Sequence, residues 1–405
     1  MKVLFITEEF PYPLDTGGNV RTFHLLRALA ARHEVVLLAM NRAGLEPAHV
    51  AAVRAVVRDV HLVESPDKGI ARELGAMLRS ASSGVPFILE RHRSRPLRRK
   101  LQALLATETF EAVHFNHLDA ALYSGDIPGT TLRILDQHNV VTNQVKTTLA
   151  SETRALRRLV LRADFPRLTR LEATLCNEMQ ACLVCSDDDA NHLRAMGVTG
   201  PLAVVPNGVD LDYFRAGAEL ATAPRLAFVG TLDYDPCERG LWYFCNEILP
   251  KIRAKLPGAT FTAIGRNPSR RLLDLAGPER GIEFTGRVED LRPHVQAARV
   301  FVVPLLSGSG TRLKILEAMA MGVPVVSTTI GAEGIDGVDG EHFRIADAPE
   351  AFAQAVLELI GDTQLASSLR ARARQLVERS FSWQEAGRRM LAAYPGDDPR
   401  VRAIA

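Results

Sequence analysis

The stretch PLLSGSGTRLKILEAMAMGVPVV, residues 304–326, carries the local signals from which a fold and a ligand site can be inferred. An apolar strand leads into a Gly/Ser loop, and the loop opens a helix with an apolar face. That helix ends at Gly322, where another apolar strand begins. This order is the repeating unit of an open parallel sheet covered by helices. The stretch therefore predicts a doubly wound α/β domain in the second half of the chain.

The same alternation extends in both directions from this stretch. Apolar runs predict strands at Arg225–Val229, Thr260–Ile264, Ile282–Phe284, Val300–Val303 and Pro324–Ser327. Helical patterns fall near Leu241–Lys255, Val288–Ala298, Arg312–Met321 and Pro349–Arg379. These segments complete one Rossmann-like domain.

The first half of the chain repeats the pattern. Strands are predicted at Val3–Ile6, Glu34–Met40, Val60–Glu64, Ala112–Phe115, Leu132–Leu135, Ala181–Cys185 and Leu202–Val205, with a helix over Asn19–Arg32. The turn-forming segment Val205–Asp210 separates the halves. We therefore expect an α/β protein with one Rossmann-like domain over residues 1–206 and another over 207–381. A final helix within 382–405 could pack on either half, with the first favoured.

Composition limits the possible classes of protein. The chain has 405 residues, of which 47% are hydrophobic and 24% charged, which suits two folded domains. A net charge of +2 argues against a general nucleic-acid coat, and five cysteines do not form a disulfide scaffold. The apolar amino terminus is interrupted by Glu8 and Glu9, so we expect a buried strand in a cytoplasmic protein rather than a signal peptide.

The loop and helix of residues 304–326 have the chemistry of an anion site. Backbone amides of Gly308–Thr311 and the helix dipole favour a phosphate. Arg312 could bind two phosphate oxygens, Lys314 adds a second cation, and Glu317 is an acceptor suited to a ribose diol. The alternative is an ordinary helix start with a solvated basic turn. The spacing of a Walker loop is absent.

Two more features of the first half suggest a site at strand ends. Gly17-Gly18 could let backbone amides approach an anion at a helix start, or could form a loop that needs positive φ. His138, in the segment Asp136–Asn139 after a strand, could donate a hydrogen bond to a substrate, or could cap the next helix.

Other histidines and cysteines give weaker signals. His114 and His117 flank a strand end, but this pair without further ligands is poor support for zinc, so we expect no metal. His117 is a candidate contact for an acceptor substrate. Cys182 and Cys185 fall on opposite faces of a strand and are expected in the core, and Ser186 is expected to cap the helix that follows.

These motifs together resemble the retaining GT-B glycosyltransferases of family 4, also called glycosyl transferases group 1. The resemblance rests on residues 304–326, Val205–Asp210 and Gly17-Gly18, and extends through nearly the whole chain. The segments Phe228–Gly230, Ile264–Arg266 and Phe284–Val288 match strand ends of the carboxy-terminal domain in that family. The resemblance implies a GT-B fold in which a nucleotide diphosphate sugar lies in a cleft between the domains.

The resemblance also assigns site residues. It implies a place for His138 near the reacting sugar and phosphate, and with the charges of Arg312 and Lys314 this makes these three the candidate catalytic residues. His117 is the acceptor-side candidate. The residues that the resemblance implies for donor binding are Gly17, Gly18, Gly230, Gly265, Arg266, Val288, Ser309, Gly310, Thr311 and Glu317.

The chain departs from the family pattern at two places. The family has a second glutamate eight positions before the one that matches Glu317, and this chain has Ser309 there. A basic pair that the family places after the first strand of this domain falls near Thr231 and Arg239, so only one of the two is basic. We expect Arg312 and Lys314 to neutralise the diphosphate instead.

The resemblance implies a retaining, metal-independent hexosyl transfer from a UDP- or GDP-sugar to a hydroxyl acceptor, without cofactor or protein nucleophile. A role in polysaccharide biosynthesis fits this activity. Two alternatives stay open: a nucleotide-sugar epimerase of the same fold, and a non-catalytic partner that binds a nucleotide sugar.

Two basic stretches, Arg91–Lys100 and Arg154–Arg170, suggest where a lipid-linked acceptor could be met. Cations next to apolar residues favour an anionic membrane surface, although a solvated helix face explains the same pattern. Few aromatic residues accompany them, so nucleic-acid binding is not expected. We expect a cytoplasmic protein, with a peripheral position on the inner face of the membrane as an open alternative.

Overall fold

The computed structural model describes residues 1–41, 45–65, 69–152, 154–308 and 310–395. Their contacts group them into two compact units. The first consists of Met1–Pro206 and the segment that begins at Ala386, and the second is Asn207–Glu385. Each unit has its own sheet and its own buried core. Of the expected final helix within 382–405, residues 396–405 lie outside the described part.

The first unit is built on a parallel sheet with helices between its strands. The strands are β1 (Lys2–Thr7), β2 (Glu34–Asn41), β3 (Asp59–Glu64), β4 (Ala112–Asn116), β5 (Leu132–Asp136), β6 (Ala181–Val184) and β7 (Leu202–Val204). The helices are α1 (Gly17–Ala30), α2 (Pro47–Arg54), α3 (Ile70–Ser83), α4 (Phe87–Glu90), α5 (Arg95–Thr107), α6 (Val141–Ser151), α7 (Ala155–Asn177) and α8 (Asp187–Ala195), with a 3₁₀ helix over Ala120–Asp126.

The strand order β3-β2-β1-β4-β5-β6-β7 determines where a ligand site can form. The chain reverses its winding direction between β1 and β4, and open sheets of this kind bind ligands beside the carboxyl ends of the strands at that point. Thr7 of β1 is in register with Asn116 of β4, and Asn116 is in register with Asp136 of β5. Three polar side chains thus end three adjacent buried strands.

The last helix, α16 (Trp383–Leu391), leads the chain back to the first unit. A Cβ atom added at Gly387 would lie 2.6 Å from the Cβ of Ala28, so α16 packs closely on α1. Tyr394 follows the helix and is fully buried, and its hydroxyl lies 2.7 Å from Nδ1 of His114. The end of the described chain therefore completes the core of the first unit.

The second unit contains another parallel sheet. Its strands are β8 (Arg225–Val229), β9 (Thr260–Ile264), β10 (Ile282–Phe284), β11 (Val300–Val303), β12 (Val325–Ser327) and β13 (Arg344–Ile345), in the order β10-β9-β8-β11-β12-β13. Its helices are α9 (Asp235–Tyr243), α10 (Leu249–Lys255), α11 (Arg270–Leu273), α12 (Arg292–Gln296), α13 (Leu313–Ala320), α14 (Pro349–Gly361) and α15 (Thr363–Ser380), with a π-helical turn over Phe244–Ile248.

Three helices expected from the sequence in this unit differ from those observed. The helix expected over Leu241–Lys255 starts earlier, at Asp235, and changes to a π turn before Pro250, where the amide of Leu249 donates to the carbonyl of Phe244. The helix expected over Val288–Ala298 begins only at Arg292 and has Pro293 in its first turn, a position where the missing amide of proline is tolerated. The helix expected over Pro349–Arg379 is divided at Asp362, whose side chain caps α15 through the amide of Leu365.

Helices α3 and α7 of the first unit present apolar side chains to solvent. Ile70 and Leu78 of α3 are 82% and 74% exposed, and Leu156 and Leu159 of α7 are 76% and 65% exposed. Neither of these helices, nor any other within the described ranges, is both long enough and apolar enough to cross a membrane.

Candidate functional site

The glycine pair of the first unit begins a helix instead of forming a loop. Gly17 and Gly18 are the first two residues of α1, and the side chain of Thr16 caps the helix by accepting from the amide of Asn19. The alternative of a loop at positive φ is therefore wrong. A Cβ atom added at Gly18 would approach no heavy atom closer than 3.9 Å, and that atom is Nδ1 of His138. The helix start at Gly18 and the imidazole of His138 thus lie side by side.

His138 lies beside this helix start and is held from one side of its ring. Its Nε2 atom is 3.0 Å from Oδ1 of Asn116 and 3.4 Å from Oδ2 of Asp136. Burial lowers the pKa of the imidazole, so it is neutral near pH 7. The alternative role as a helix cap is wrong, because α6 begins at Val141 and the amides of its first turn, those of Val141 and Thr142, donate to the carboxylate of Glu172.

A buried ion pair orders the same region. The guanidinium of Arg21 makes two hydrogen bonds to Asp136, of 3.2 and 2.7 Å, and a third of 2.8 Å to the carbonyl of Val205. Burial alone would raise the pKa of Asp136, but Arg21 and His138 outweigh it and hold that pKa well below its usual value. Asp136 is therefore an ionised acceptor on the sheet side of His138.

The two other histidines of β4 and its loop have different surroundings. His114 is inside the strand, stacks on Phe5 at 4.5 Å and contacts Tyr394, and burial lowers its pKa to about 4. The sequence analysis expected His114 to flank the strand end. The structure places it inside β4 instead. His117 follows the strand with a φ of 77°, and its ring centroid lies 3.7 Å from that of His138. Its acceptor-side role stays a prediction.

The structure brings together a trio that the sequence did not reveal. Nδ1 of His92 lies 3.2 Å from Oε2 of Glu8 and 3.9 Å from Oδ2 of Asp119, and one potential ligand atom from each residue fits within 4.8 Å. Burial and the nearby Glu8 raise the pKa of Asp119 to about 7. Two carboxylates and an imidazole could hold a cation or accept from hydroxyl groups.

The cysteines and the helix start after β6 agree with the sequence. Cys182 and Cys185 are both buried in the core of the first unit. Ser186 caps α8 by accepting from the amide of Asp189.

In the second unit, three glycine turns follow β8, β9 and β10. The amide of Gly230 donates to the carbonyl of Ile264, and the amide of Gly265 donates to the carbonyl of Gly286. A Cβ atom at Gly265 would lie 1.7 Å from the carbonyl oxygen of Gly230, so no other residue fits at position 265. Arg266 and Val288 continue two of these turns, and the carbonyl of Arg266 accepts from Leu232. The turns thus form one backbone surface at the carboxyl edge of the sheet.

The loop between β11 and α13 is the one expected to bind an anion. Gly308 and Gly310 have φ values of 119° and 82°, which glycine adopts easily. The hydroxyl of Thr311 donates to the carbonyl of Gly334. Arg312 precedes the first residue of α13, and its Nη2 lies 3.9 Å from a carboxylate oxygen of Glu333. Ser309 lies outside the described residues.

The ammonium of Lys314 contacts an aromatic ring and a thiol. Its Nζ atom lies 4.1 Å above the ring centroid of Phe228 and 3.7 Å from Sγ of Cys237. A Cβ atom at Gly230 would be 2.9 Å from the same nitrogen, so the ammonium faces the first glycine turn. Within the described ranges no carboxylate lies within 4.0 Å of it. Burial lowers the pKa of Lys314.

Glu317 lies one helical turn after Lys314. No hydrogen bond to its carboxylate occurs in the described part of the chain, and burial raises its pKa to about 7. The side chain of Arg239 is 47% exposed and 3.9 Å from Asp235, while Thr231 follows the turn at Gly230. The structure therefore groups Gly230, Lys314 and Glu317 around one edge of the sheet.

Comparisons with known proteins identify both halves. Residues 16–213 match the model of Glycosyltransferase Family 4, and residues 223–362 match that of Glycosyl transferases group 1. A phosphatidyl-myo-inositol mannosyltransferase of Mycolicibacterium smegmatis is 29% identical over 199 residues, which are 47% of this chain and 50% of that protein. The aligned region thus spans about half the length of that relative. A glycogen synthase of Mycobacterium tuberculosis is 25% identical over 95% of this chain and 92% of its own.

A solved structure shows the same architecture. The Anabaena protein HepE, crystallised with UDP, superposes with a TM-score of 0.67 at 15% identity, over 96% of this chain and 98% of its own. That identity supports the fold alone. The two matched models, the two parallel sheets and this architecture lead to one conclusion: the chain is a glycosyltransferase of family 4 and group 1 with a GT-B fold.

Proposed function

We propose that the protein transfers a hexosyl group, with retention of configuration, from a nucleotide diphosphate sugar to a hydroxyl acceptor. The observation that carries this proposal is the ammonium of Lys314, which faces the Gly230 turn and has no carboxylate within ion-pair distance in the described part of the chain. A partly buried cation without an anionic partner is costly unless a ligand supplies the anion. A diphosphate has the required charge.

The second unit supplies the contacts that a nucleotide diphosphate needs. Lys314 and Arg312 provide positive charge, and the amides at Gly310 and Thr311 lie at the start of α13, where the helix dipole favours an anion. Glu317 has a carboxylate that can accept from the two ribose hydroxyls. A UDP-sugar and a GDP-sugar are both candidate donors: HepE, which shares the fold, was crystallised with UDP, and a mannosyltransferase of Mycobacterium tuberculosis that is 29% identical over 53% of this chain is named as GDP-mannose-dependent.

The first unit supplies the contacts for hydroxyl groups of the substrates. The neutral imidazole of His138 lies beside Gly18 at the start of α1. His117 and the carboxylates of Glu8 and Asp119 lie near the same strand ends, and we assign the acceptor to this group. Carboxylates and imidazoles accept hydrogen bonds from sugar hydroxyls.

The chemical step follows from these charges. The bond between the sugar C1 and the leaving phosphate oxygen breaks, and the nucleotide diphosphate departs with the electron pair. Lys314, Arg312 and the backbone amides stabilise the negative charge that develops on it. The acceptor oxygen bonds to C1 on the same face, and its proton passes to the departing phosphate. No protein nucleophile and no metal ion is required in this scheme.

We further propose that the acceptor is lipid-linked and is met at a membrane surface. The mannosyltransferase relative is described as acting on phosphatidyl-myo-inositol, which supports such an acceptor. In Arg91–Lys100 three arginines already pair with Glu73, Glu90 and Asp126. In Arg154–Arg170 the exposed Leu156 and Leu159 accompany arginines such as Arg158 and Arg162, which form no ion pair within the described ranges.

This membrane proposal favours the start of α7 over the α5 region. Vesicles that contain anionic phospholipid should retain the protein, and a double variant Leu156→Ser/Leu159→Ser should bind them less. Leu273→Ser, at a 45% exposed leucine of the second unit, is the matched control. Equal binding by all three proteins would exclude this surface.

A donor panel and a hydrolysis assay test the enzymatic proposal. Stabilisation against thermal unfolding by UDP-, GDP- or ADP-sugars identifies the donor base. A transferase should then slowly release the nucleoside diphosphate in the presence of chelator, and the released sugar should keep its anomeric configuration. An altered sugar would indicate an epimerase. Donor binding without turnover would indicate a non-catalytic protein. Loss of activity when chelator is added would indicate that the reaction requires a metal.

A further inference from the structure

The environment of His138 is fixed by hydrogen bonds that begin at two threonines. The hydroxyl of Thr7 donates to the carbonyl of Glu9 at 2.9 Å, and the hydroxyl of Thr22 donates to the carbonyl of Gly18 at 2.9 Å. A hydroxyl has one proton, so neither threonine has a second to donate. Toward any further neighbour, both oxygens act as acceptors.

That neighbour is the side-chain amide of Asn116. Its Nδ2 atom lies 3.1 Å from the hydroxyl oxygen of Thr7 and 3.2 Å from that of Thr22. The two protons of the amide group match these two acceptors. With the amide reversed, its oxygen would face two hydroxyl oxygens whose protons are used elsewhere. The orientation of Asn116 is therefore determined, and its Oδ1 atom points to His138.

This orientation determines the tautomer of His138. Nε2 faces two atoms that only accept hydrogen bonds, Oδ1 of Asn116 at 3.0 Å and Oδ2 of Asp136 at 3.4 Å. Asp136 is kept ionised by Arg21. Nε2 must therefore carry the proton, which leaves a lone pair on Nδ1. In the described part of the chain Nδ1 has no hydrogen-bond partner, although His138 is only 6% exposed.

We propose that Asn116 is a positioning residue that fixes the Nε2-protonated tautomer of His138, so that Nδ1 accepts a hydrogen bond from a hydroxyl group of the bound sugar. This inference rests on the proposed transferase function and sharpens it. A phosphate oxygen at Nδ1 would meet a lone pair and be repelled. The diphosphate therefore does not contact this nitrogen, and His138 does not act as a proton donor to the leaving group.

His138 can accept a hydrogen bond through Nδ1 only as the neutral imidazole, so the proposal predicts that activity depends on pH. Protonation of Nδ1 would remove the acceptor, and activity should fall on the acid side as His138 becomes charged. The titratable groups that surround His138 come from α1, β4, the loop after β4, β5 and the end of β6; they are Arg21, His114, His117, Asp136 and Cys185. Burial keeps the imidazole neutral among them near pH 7.

The tautomer can be measured without any activity assay. Protein labelled with ¹⁵N-histidine gives two-bond correlation spectra whose pattern distinguishes the two neutral tautomers and the imidazolium, and His138→Gln assigns the signal. We expect the Nε2-protonated neutral form at neutral pH. An Nδ1-protonated ring or an imidazolium there would overturn the proposal, whether or not the protein transfers sugars.

Two substitutions of Asn116 test the functional consequence. Asn116→Leu removes the nearer of the two acceptors for Nε2–H and leaves only Asp136, and we expect kcat to fall roughly tenfold with little change in the donor KM. Asn116→Asp places a second carboxylate beside Nε2, raises the pKa of His138 and should move the acid limb of the kcat profile to higher pH. Asn246→Asp, at an exposed asparagine of the second unit, is the matched control and should retain the wild-type profile.

The outcomes separate the two proposals. Unchanged kcat and an unchanged pH profile in both Asn116 variants would overturn the positioning role while leaving the transferase intact. Absence of turnover in the wild type would overturn the proposed function, while the NMR result would still decide the tautomer. If Asn116→Leu fails to fold, Asn116→Asp and the wild-type spectrum decide.

Discussion

The strand-end faces of the two units differ in how their charges are satisfied. In the first unit, the carboxylate of Asp136 is fully paired with Arg21 and also faces His138. In the second, the ammonium of Lys314 and the carboxylate of Glu317 make no ion pair within the described ranges. A face whose charges are neutralised internally suits neutral hydroxyl groups, whereas a face with an unneutralised cation suits a phosphate. This difference in charge is the basis for our proposal that the two units bind different parts of the substrates.

The largest effect is expected from breaking the internal pair of the first unit. Asp136→Asn leaves the buried Arg21 without its counterion, which should lower the free energy of unfolding by about 3–5 kcal/mol. Asp126→Asn is the control, because Asp126 pairs with the more exposed Arg98. Denaturant unfolding monitors both variants. If Asp136→Asn lowered the free energy of unfolding as little as Asp126→Asn does, the view that the pair of Arg21 and Asp136 orders the first unit would be wrong.

The second effect concerns donor binding in the second unit. Lys314→Ala removes the cation that faces Gly230, and we expect donor affinity or turnover to fall roughly 10- to 100-fold with little change in melting temperature. Lys251→Ala, at an exposed lysine paired with Glu350, is the matched control. Calorimetric titration with the donor measures the difference. Wild-type affinity and rate in Lys314→Ala would remove this lysine from the mechanism.

The third effect tests the proposal that the first unit binds hydroxyl groups while the second unit binds the diphosphate. His138→Ala should lower kcat about tenfold and change the donor Kd less, because one hydrogen bond to the sugar is lost while the diphosphate contacts remain. Steady-state kinetics and donor titration should be measured on the same preparation, with His192→Ala, at a half-buried histidine of α8, as control. A larger change in Kd than in kcat would place His138 with the phosphate-binding residues.

The smallest effect is a pH-dependent change in stability at Glu317. Burial raises its pKa to about 7, so the protonated carboxyl supports folding and this contribution is lost as the pH rises through 7. Glu317→Gln should match the wild type at about pH 5 and gain on the order of 1 kcal/mol at about pH 9. Donor binding should weaken in the same variant. Glu247→Gln, at an exposed position, should show no such gain, and an equal gain there would refute the assignment.

Local sequence patterns predicted most of the fold. The observed strands lie within one or two residues of the expected ones, and the family comparison agrees with the GT-B fold. The errors came from proline and capping effects that a hydrophobic pattern does not register, such as the late start of α12 before Pro293 and the break at Asp362. The two-residue strand Arg344–Ile345 was too short to be recognised.

The candidate site was predictable only where its residues are close together in sequence. Lys314 and Glu317 share a helix, so their grouping could be inferred from the pattern. The pairing of Arg21 with Asp136 joins positions 115 residues apart, and the trio of Glu8, His92 and Asp119 joins three separate segments. The available signal was the permanent charge of Arg21 on the helix face that also carries Leu25 and Leu29. Its partner, Asp136, could be identified only from the order and register of the strands in the folded sheet.

The burial of Tyr394 against His114 has a consequence for dissecting the molecule into fragments. A fragment that ends at Pro206 lacks α16 on α1 and has a cavity where the tyrosine ring was, so it should be less stable than the same segment in the whole chain. A fragment of residues 207–385 contains every strand of the second sheet. Independent production of the first half should therefore require the peptide 386–395, supplied in trans or joined by circular permutation.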